Sequence, residues 1–308
     1  MTGSDAHTPP ALARGGIDRA ADERADPRLI ERLRADPATR VVAVHGDRGA
    51  VSSDGTRNLQ VTATDVRDGV EWAFLGRDGA GAPILLAVAA AEAEPPVAGL
   101  PPGARWGALR AVGGDLDPDD AGLLVEAVSL GRWLVDAPFC PACGARAELR
   151  AAGWARHCPN CGREHFPRTD PAVIVAVQSA DGERLLLGKN AQWADRNMYS
   201  TFAGFVEAGE SLEQTIEREI LEESGVTVGG IRYRGSQAWP YPRSLMLGFH
   251  ATAPEGAVPQ PDGVEIVDAR WFDRAELTAG LAGETDFGLP GTASIARRLI
   301  VDWVEAAP

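Results

Sequence analysis

The stretch Gly204-Phe-Val-Glu-Ala-Gly-Glu210-Ser211-Leu-Glu-Gln214-Thr-Ile-Glu-Arg218-Glu219-Ile220-Leu-Glu222-Glu223-Ser-Gly225-Val226 decides how this chain is read. Ser211 followed three residues later by Gln214 is a helix-start capping box. Gly225 is a helix stop, so the spacing predicts one helix of about fourteen residues between them. Leu212, Thr215, Ile216, Ile220 and Leu221 give that helix an apolar stripe. Glu219 and Glu223 are four apart and share a face, Glu222 borders it, and Arg218 stands four before Glu222 and can pair with it. Three crowded carboxylates repel one another, and without cations one of them tends to hold a proton. With Mg²⁺ or Mn²⁺ they become a set of hard oxygen ligands. Taken alone, the same helix is equally well a solvated acidic face.

Outward from the helix, residues 168–308 alternate strand and helix signals. Ala172 to Val177 is apolar, Asp181-Gly182 is a turn and Leu185-Leu186-Leu187 follows, a hairpin pattern. Further strands are expected near 231–235 and 245–251 and one ending at Trp271-Phe272, with a terminal helix over about 292–306 after Pro290-Gly291. Upstream, 28–136 reads as a small α+β domain. Ile84 to Ala91 is a buried strand, and Leu123 to Val135 has helical spacing. Residues 1–27, rich in Ala, Asp, Arg, Gly and Pro, read as a disordered tail.

Between these domains, within 137–167, lie all four cysteines. Cys140-Pro-Ala-Cys143 and Cys158-Pro-Asn-Cys161 are two knuckles of the spacing that builds a tetrahedral four-thiolate zinc site. A closed four-sulfur site leaves no open coordination position, so one structural Zn²⁺ per subunit is expected. Arg146, Arg150 and Arg156 with Trp154 and His157 make a modest basic patch beside it.

The net charge of −14 over 308 residues disfavours bulk polyanions such as duplex DNA. No run approaches the roughly 18 apolar residues of a membrane helix, and no secretory signal stands at the N-terminus. The expectation is a cytoplasmic protein without a membrane partner.

The glycine-to-valine pattern of the quoted stretch resembles the Nudix box at every defining position: Gly204, Glu210, Arg218, Glu219, Ile220, Glu222, Glu223, Gly225 and Val226. The resemblance implies an α+β chain with a Nudix α/β/α sandwich and a mixed sheet. It implies that Glu219, Glu222 and Glu223 hold two or three Mg²⁺ or Mn²⁺ ions on a diphosphate. Downstream, Ser236-Gln237-Ala238-Trp239-Pro240-Tyr241-Pro242-Arg243-Ser244 is similar to the array that marks NADH pyrophosphatases within that family, as does a four-cysteine ribbon placed just before the Nudix domain. Ala238 and Tyr241 depart from the family's proline and phenylalanine, and Gly153 stands where some relatives have an acidic residue.

Further roles follow from the resemblance alone. Glu265 and the backbone carbonyl of Ala203 are additional metal ligands. Phe205 stacks on adenine, Phe166 reaches the site of a neighbouring subunit, and Ala296 lines the substrate. Gln237, Trp239, Pro240, Tyr241, Pro242 and Ser244 contact the dinucleotide. Glu223 is the favoured base, with Glu222 and Glu219 beside it and Arg218 orienting Glu222. The implied activity is hydrolysis of NADH, and of NAD⁺, to AMP and the nicotinamide mononucleotide by a homodimer. Removal of an NAD cap from RNA uses the same bond and is the alternative. A non-catalytic nucleotide sensor that contacts DNA through the ribbon is an alternative of another class.

Overall fold

The structure, a computed structural model, describes residues 9–306. It divides into two compact units, one of Leu12–Thr169 with Ala238–Arg243, the other built mainly on Asp170–Gln237 and the chain from Ser244 onward.

In the first unit, helix α1 (Leu29–Ala35) precedes strands β1 (Arg40–His45), β2 (Arg48–Ser52), β3 (Glu71–Arg77), β4 (Pro83–Ala89) and β5 (Ala104–Ala108). They form a sheet of order β3-β4-β1-β2-β5, with β1 parallel to β4 and the other pairs antiparallel. All seven residues of β4 are buried, as a run without polar alternation requires of a strand covered on both faces. The short helix α2 (Leu109–Val112) leads to α3 (Pro118–Asp136), which starts with proline at its first position and buries Leu124, Ala127 and Val128. Gly131 on α3 lets Val88 of β4 come close: a Cβ there would sit 3.1 Å from a Val88 methyl. A three-stranded ribbon follows, β6 (Glu148–Arg150), β7 (Ala155–His157) and β8 (Glu164–His165), in that order.

Part of the segment expected to be a disordered tail is ordered. Residues 1–8 lie outside the described ones, but Ala11–Ala13 and Ala21–Ala25 are short 3-10 helices and Leu12 is buried. The arginines that made this stretch look solvated have partners: Arg19 meets the buried Glu126 of α3 at 2.7 Å, and Arg24 lies 3.9 Å over the Trp154 ring.

The second unit contains β9 (Asp170–Gln178), β10 (Arg184–Asn190), β11 (Phe202–Phe205), helix α4 (Leu212–Ser224), β12 (Gly229–Trp239), β13 (Ser244–Thr252), β14 (Ile266–Asp273), α5 (Arg274–Ala282) and α6 (Ile295–Glu305). The sheet is mixed, in the order β12-β13-β9-β10-β14 with β11 also on β9; β13 and β9 run parallel. Alternation along β9 divides its side chains between two cores. Val173, Val175 and Val177 pack with Ile216 and Ile220 of α4. Ile174 and Ala176 pack with Leu277 of α5 and Leu299, Ile300 and Trp303 of α6. This is the expected α/β/α sandwich, and it fixes α4 on one face of the sheet and α5 with α6 on the other. Each fully buried Ile or Phe here contributes roughly 1.5–3 kcal/mol.

Candidate active site and zinc ribbon

Helix α4 starts and stops as its sequence dictates. The Ser211 hydroxyl accepts from the Gln214 N–H at 3.2 Å while the Gln214 side chain accepts from the Ser211 N–H at 2.9 Å. Gly225 closes the helix with φ 68°, a left-handed conformation that glycine adopts without a Cβ clash. Beside the helix, Gly204 on β11 pairs with Val173. A Cβ built on Gly204 would lie 1.9 Å from the Glu219 carboxyl carbon. The glycine is therefore the space that Glu219 occupies.

Arg218 is held by several acceptors at once. Its Nε and Nη2 grip Glu210 at 2.6 and 2.8 Å in a two-point fork, and Nη2 also donates to the Phe205 carbonyl at 3.1 Å. Nη1 reaches Glu219 at 2.9 Å and Glu222 at 3.2 Å. The pairing with Glu222 read from helical spacing is present, but the shortest partner is Glu210, eight residues earlier in a loop that helix spacing does not describe. Arg218 holds the Glu210 carboxyl down at about 2, and the Glu210 fork raises Arg218 in turn.

Glu223 is different. It is 5 % exposed, and its Oε2 has no hydrogen-bond partner among the described residues. Burial pushes it up to about 8, helped by the charges of Glu265, Glu219, Asp262 and Glu222. Burial also raises Glu219, against the pull of Arg218. An orphaned buried carboxylate oxygen among four further acids is a site short of positive charge. Hard divalent cations fit that donor set. Glu265 stands at the start of β14, exposed, with Asn190 donating to it at 3.4 Å. Asp262 was not anticipated: it accepts the N–H groups of Val264, Glu265 and Ile266, which shapes the loop presenting Glu265. Its signal was present as an acid three residues before Glu265, but loop hydrogen bonding has no spacing rule as sharp as that of a helix.

The other expected residues fall into separate environments. Ala203 lies on β11 next to Gly204, and Phe205 is exposed. Ala296 is 2 % exposed within the core of α5 and α6, where its N–H donates to the Ser294 hydroxyl that caps α6. Its side chain serves packing in this structure. Gln237 is 1 % exposed and donates to the Ala293 carbonyl at 3.0 Å, and Ser244 is buried at the start of β13. Trp239 and Tyr241 place their ring centroids 5.0 Å apart. The Arg132 guanidinium donates to the Pro240 carbonyl at 3.1 Å, and Pro242 is exposed. The tyrosine at 241 keeps the aromatic face and gains an anchor, since its hydroxyl accepts the Arg110 N–H at 3.0 Å. Gly153 has φ 95°, and a Cβ there would stand 2.5 Å from the Ala73 Cβ. No acidic side chain could replace it without moving β3.

The four cysteine sulfurs lie within 4.8 Å of one another, with no disulfide among them. Cys140 and Cys161 are 3.6 Å apart and Cys143 and Cys158 3.5 Å, far beyond the roughly 2.05 Å of an S–S bond and suited to a tetrahedral ion. In each knuckle the glycine after the second cysteine, Gly144 or Gly162, turns with φ near 75° or 72° and donates back to Cys140 or Cys158. His165 places its Nε2 3.1 Å from the Cys140 sulfur, a neighbour the cysteine spacing did not reveal. Of the modest basic patch read beside the ribbon, Arg146 and Arg150 are exposed, and Arg156 and Trp154 turn inward. Arg156 is 3 % exposed and donates inward to the carbonyls of Leu134 and Ala147 at 2.6 and 3.2 Å. Arg150 pairs with Glu148, and the Trp154 N–H is taken by the Phe74 carbonyl. Phe166, just after β8, is half-exposed.

Comparison with known proteins agrees with each part. A NUDIX domain model matches residues 168–289, the NADH pyrophosphatase zinc ribbon domain matches 136–166, and an NADH pyrophosphatase-like rudimentary NUDIX domain matches 38–133. The NAD-capped RNA hydrolase NudC of Mycobacterium bovis (strain BCG / Pasteur 1173P2) is 39 % identical over 311 residues, covering 96 % of this chain and 94 % of the relative. The NAD-capped RNA hydrolase NudC of Stutzerimonas stutzeri (strain A1501) is 46 % identical over 200 residues, 65 % of this chain and 67 % of the relative. Among solved structures, a NUDIX hydrolase from Nitrosomonas europaea is 26 % identical, covers 49 % of this chain and 96 % of its own, and superposes with a TM-score of 0.38. Carboxylate helix, four-cysteine ribbon and full-length similarity converge: the chain belongs to the Nudix hydrolases, in the NADH pyrophosphatase family that carries a zinc ribbon.

Proposed function

We propose that this enzyme hydrolyses the pyrophosphate bond of NADH, and of NAD⁺, releasing AMP and the nicotinamide mononucleotide. The observation that carries this reading is Glu223, buried with a free carboxylate oxygen and surrounded by Glu219, Glu222, Glu265 and Asp262. Glu219, Glu222, Glu223, Glu265 and the Ala203 carbonyl would hold two or three Mg²⁺ or Mn²⁺ ions. Such ions, when bound, neutralise diphosphate charge and lower the pKa of a water. Glu223 takes the water's proton at Oε2. Arg218, fixed by Glu210, holds Glu219 and Glu222 in place, and Gly204 leaves room for Glu219. Phe205 and the Trp239–Tyr241 pair offer aromatic faces for flat rings. Phe166 of one protomer serves the site of another in a homodimer. No helix of the described residues is long and apolar enough to cross a membrane, and cytoplasmic residence is part of the proposal.

The relatives' names favour a second reading, removal of an NAD cap from RNA. One assay tests both: NADH, NAD⁺, ADP-ribose, a nucleoside triphosphate and NAD-capped RNA are incubated with and without Mg²⁺, at one salt concentration. AMP and the mononucleotide from NADH, only with the metal, are expected. Turnover of the triphosphate alone would refute the dinucleotide reading, and a higher kcat/KM on capped RNA would favour the second.

A further inference from the structure

The second unit carries a group of cations on the sheet face opposite α4. Along β12, Ile231 packs on the α4 side and Tyr233 stacks there on Phe249, so Arg232 and Arg234 project to the other face. There they join His250 and Thr252 of β13, Gln178 of β9, Arg274 of α5 and Trp303 of α6 around a cleft of about 240 Å³. The cleft lies at the Gln178 end of β9. Gly204 pairs with Val173, five residues earlier on that strand, so the cleft is roughly 16 Å along the sheet from it at about 3.3 Å per residue.

Among the described residues lining this cleft, arginines outnumber acids. Arg232 and Arg234 make no side-chain hydrogen bond or ion pair with any other described residue, in a chain of net charge −14 whose Arg57, Arg77 and Arg218 all find carboxylates. The Nε of Arg234 and the indole N–H of Trp303 are buried without an acceptor among the described residues. Arg274 spends its Nη1 and Nη2 on the carbonyls of Trp303, Val304 and Gly182 and lies 4.1 Å over the Trp303 ring. Asp181 also lines the cleft, its carboxylate accepting from the Ser179 hydroxyl and the Glu183 N–H, and this one negative charge stands against three arginines. His250 turns its Nε2 to the Leu299 carbonyl at 3.3 Å.

A cavity edged by donors without acceptors calls for an anion. Two guanidinium forks two residues apart on one strand suit the several oxygens of a phosphate better than a single carboxylate. The volume is below the roughly 300–1,000 Å³ of a small-molecule pocket, so it holds one phosphate group and water rather than a whole nucleotide. We propose that this cleft binds a phosphate dianion, either inorganic phosphate or the terminal phosphate monoester of a larger molecule, at a place separate from the carboxylate helix.

The test uses the full-length, zinc-loaded protein without added Mg²⁺ or Mn²⁺, so that the acidic site repels anions. Melting and titration calorimetry are run with inorganic phosphate against chloride at equal ionic strength, with AMP and adenosine as further arms. Phosphate is expected to raise Tm by about 2 °C or more at saturation. Arg232→Ser with Arg234→Ser should weaken phosphate binding at least about tenfold while NADH turnover stays within about twofold. If the double variant does not fold, Arg232→Ser alone, at an exposed position, should weaken it about threefold. Competition between AMP and phosphate, without effect of adenosine, assigns the monoester; no competition assigns free phosphate; both support the site. No phosphate-dependent shift in the wild type, or an undiminished shift in the variants, overturns it.

Discussion

Replacing Gly204 with alanine isolates the geometry of the carboxylate helix from its chemistry. The new methyl group would meet the Glu219 carboxyl carbon and Oε1 at 1.9 Å and Oε2 at 2.4 Å, where real Cβ atoms stay at 3.0 Å or beyond. The carboxyl is the far end of a flexible side chain, so it moves and the backbone need not; the displacement is about 1 Å. A shift of that size in a catalytic constellation costs on the order of 100-fold in rate, or about 2.7 kcal/mol of transition-state stabilisation. Ile216 and Ile220 stay packed, so the fold should hold, and alanine is not a worse strand residue than glycine. The assay is kcat/KM on NADH across a Mg²⁺ titration, with melting as the control for folding. The expected outcome is a Tm within a few degrees of the parent, a higher Mg²⁺ requirement and a saturated rate down about 100-fold. Saturated turnover within about threefold of the parent would refute the idea that Gly204 exists to admit Glu219.

Four further outcomes are expected. Glu223→Gln should fold normally and lose at least about 100-fold in rate, the scale of a lost general base; near-normal turnover with saturating Mg²⁺ would remove Glu223 from the mechanism. Burial pushes Glu126 from 4.5 up to about 7 despite Arg19 and Arg24, so its contribution is fully present below pH 4.5 and is lost as pH rises through about 7. Glu126→Gln should therefore stabilise the protein more at pH 8 than at pH 5, by on the order of 1–3 kcal/mol in urea unfolding; an equal effect at both would contradict this. Tyr241→Phe removes the exposed hydrogen bond from the Arg110 N–H and should cost about 0.5–1.5 kcal/mol in the same measurement, and no loss would deny the anchor. Cys158→Ser, at a buried ligand, should abolish bound zinc and lower Tm by several degrees, whereas retention of one zinc per chain would exclude the four-cysteine site.

The sequence made most of this architecture legible because its signals were local. Capping at Ser211 and Gly225, the apolar run from Ala172 to Val177, and two Cys-x-x-Cys knuckles each name an element within a few residues. Relations across the chain were not legible. Glu210 as the fork for Arg218, Asp262 behind Glu265 and His165 beside Cys140 depend on how loops fold back, which no residue period encodes. Charge also misled in two places. Arg19 and Arg24 resembled a solvated tail yet reach Glu126 and Trp154. Arg156 resembled a surface cation and is buried, its Nη1 and Nη2 taken by carbonyls in place of water while its Nε has no partner among the described residues.

That inward guanidinium has a consequence for metal supply. Arg156 leaves the ribbon to cap the last turn of α3 at Leu134, so two regions separate in sequence share one desolvated charge. Were zinc withdrawn and the ribbon to loosen, the loss would not stop at four thiols. The guanidinium would leave with its strand, and the Leu134 carbonyl at the end of α3 would lose its donor, a cost of about 1–3 kcal/mol. Against a domain stability of only about 5–15 kcal/mol, starvation for zinc would reach the N-terminal half of the enzyme before any chemistry had been attempted.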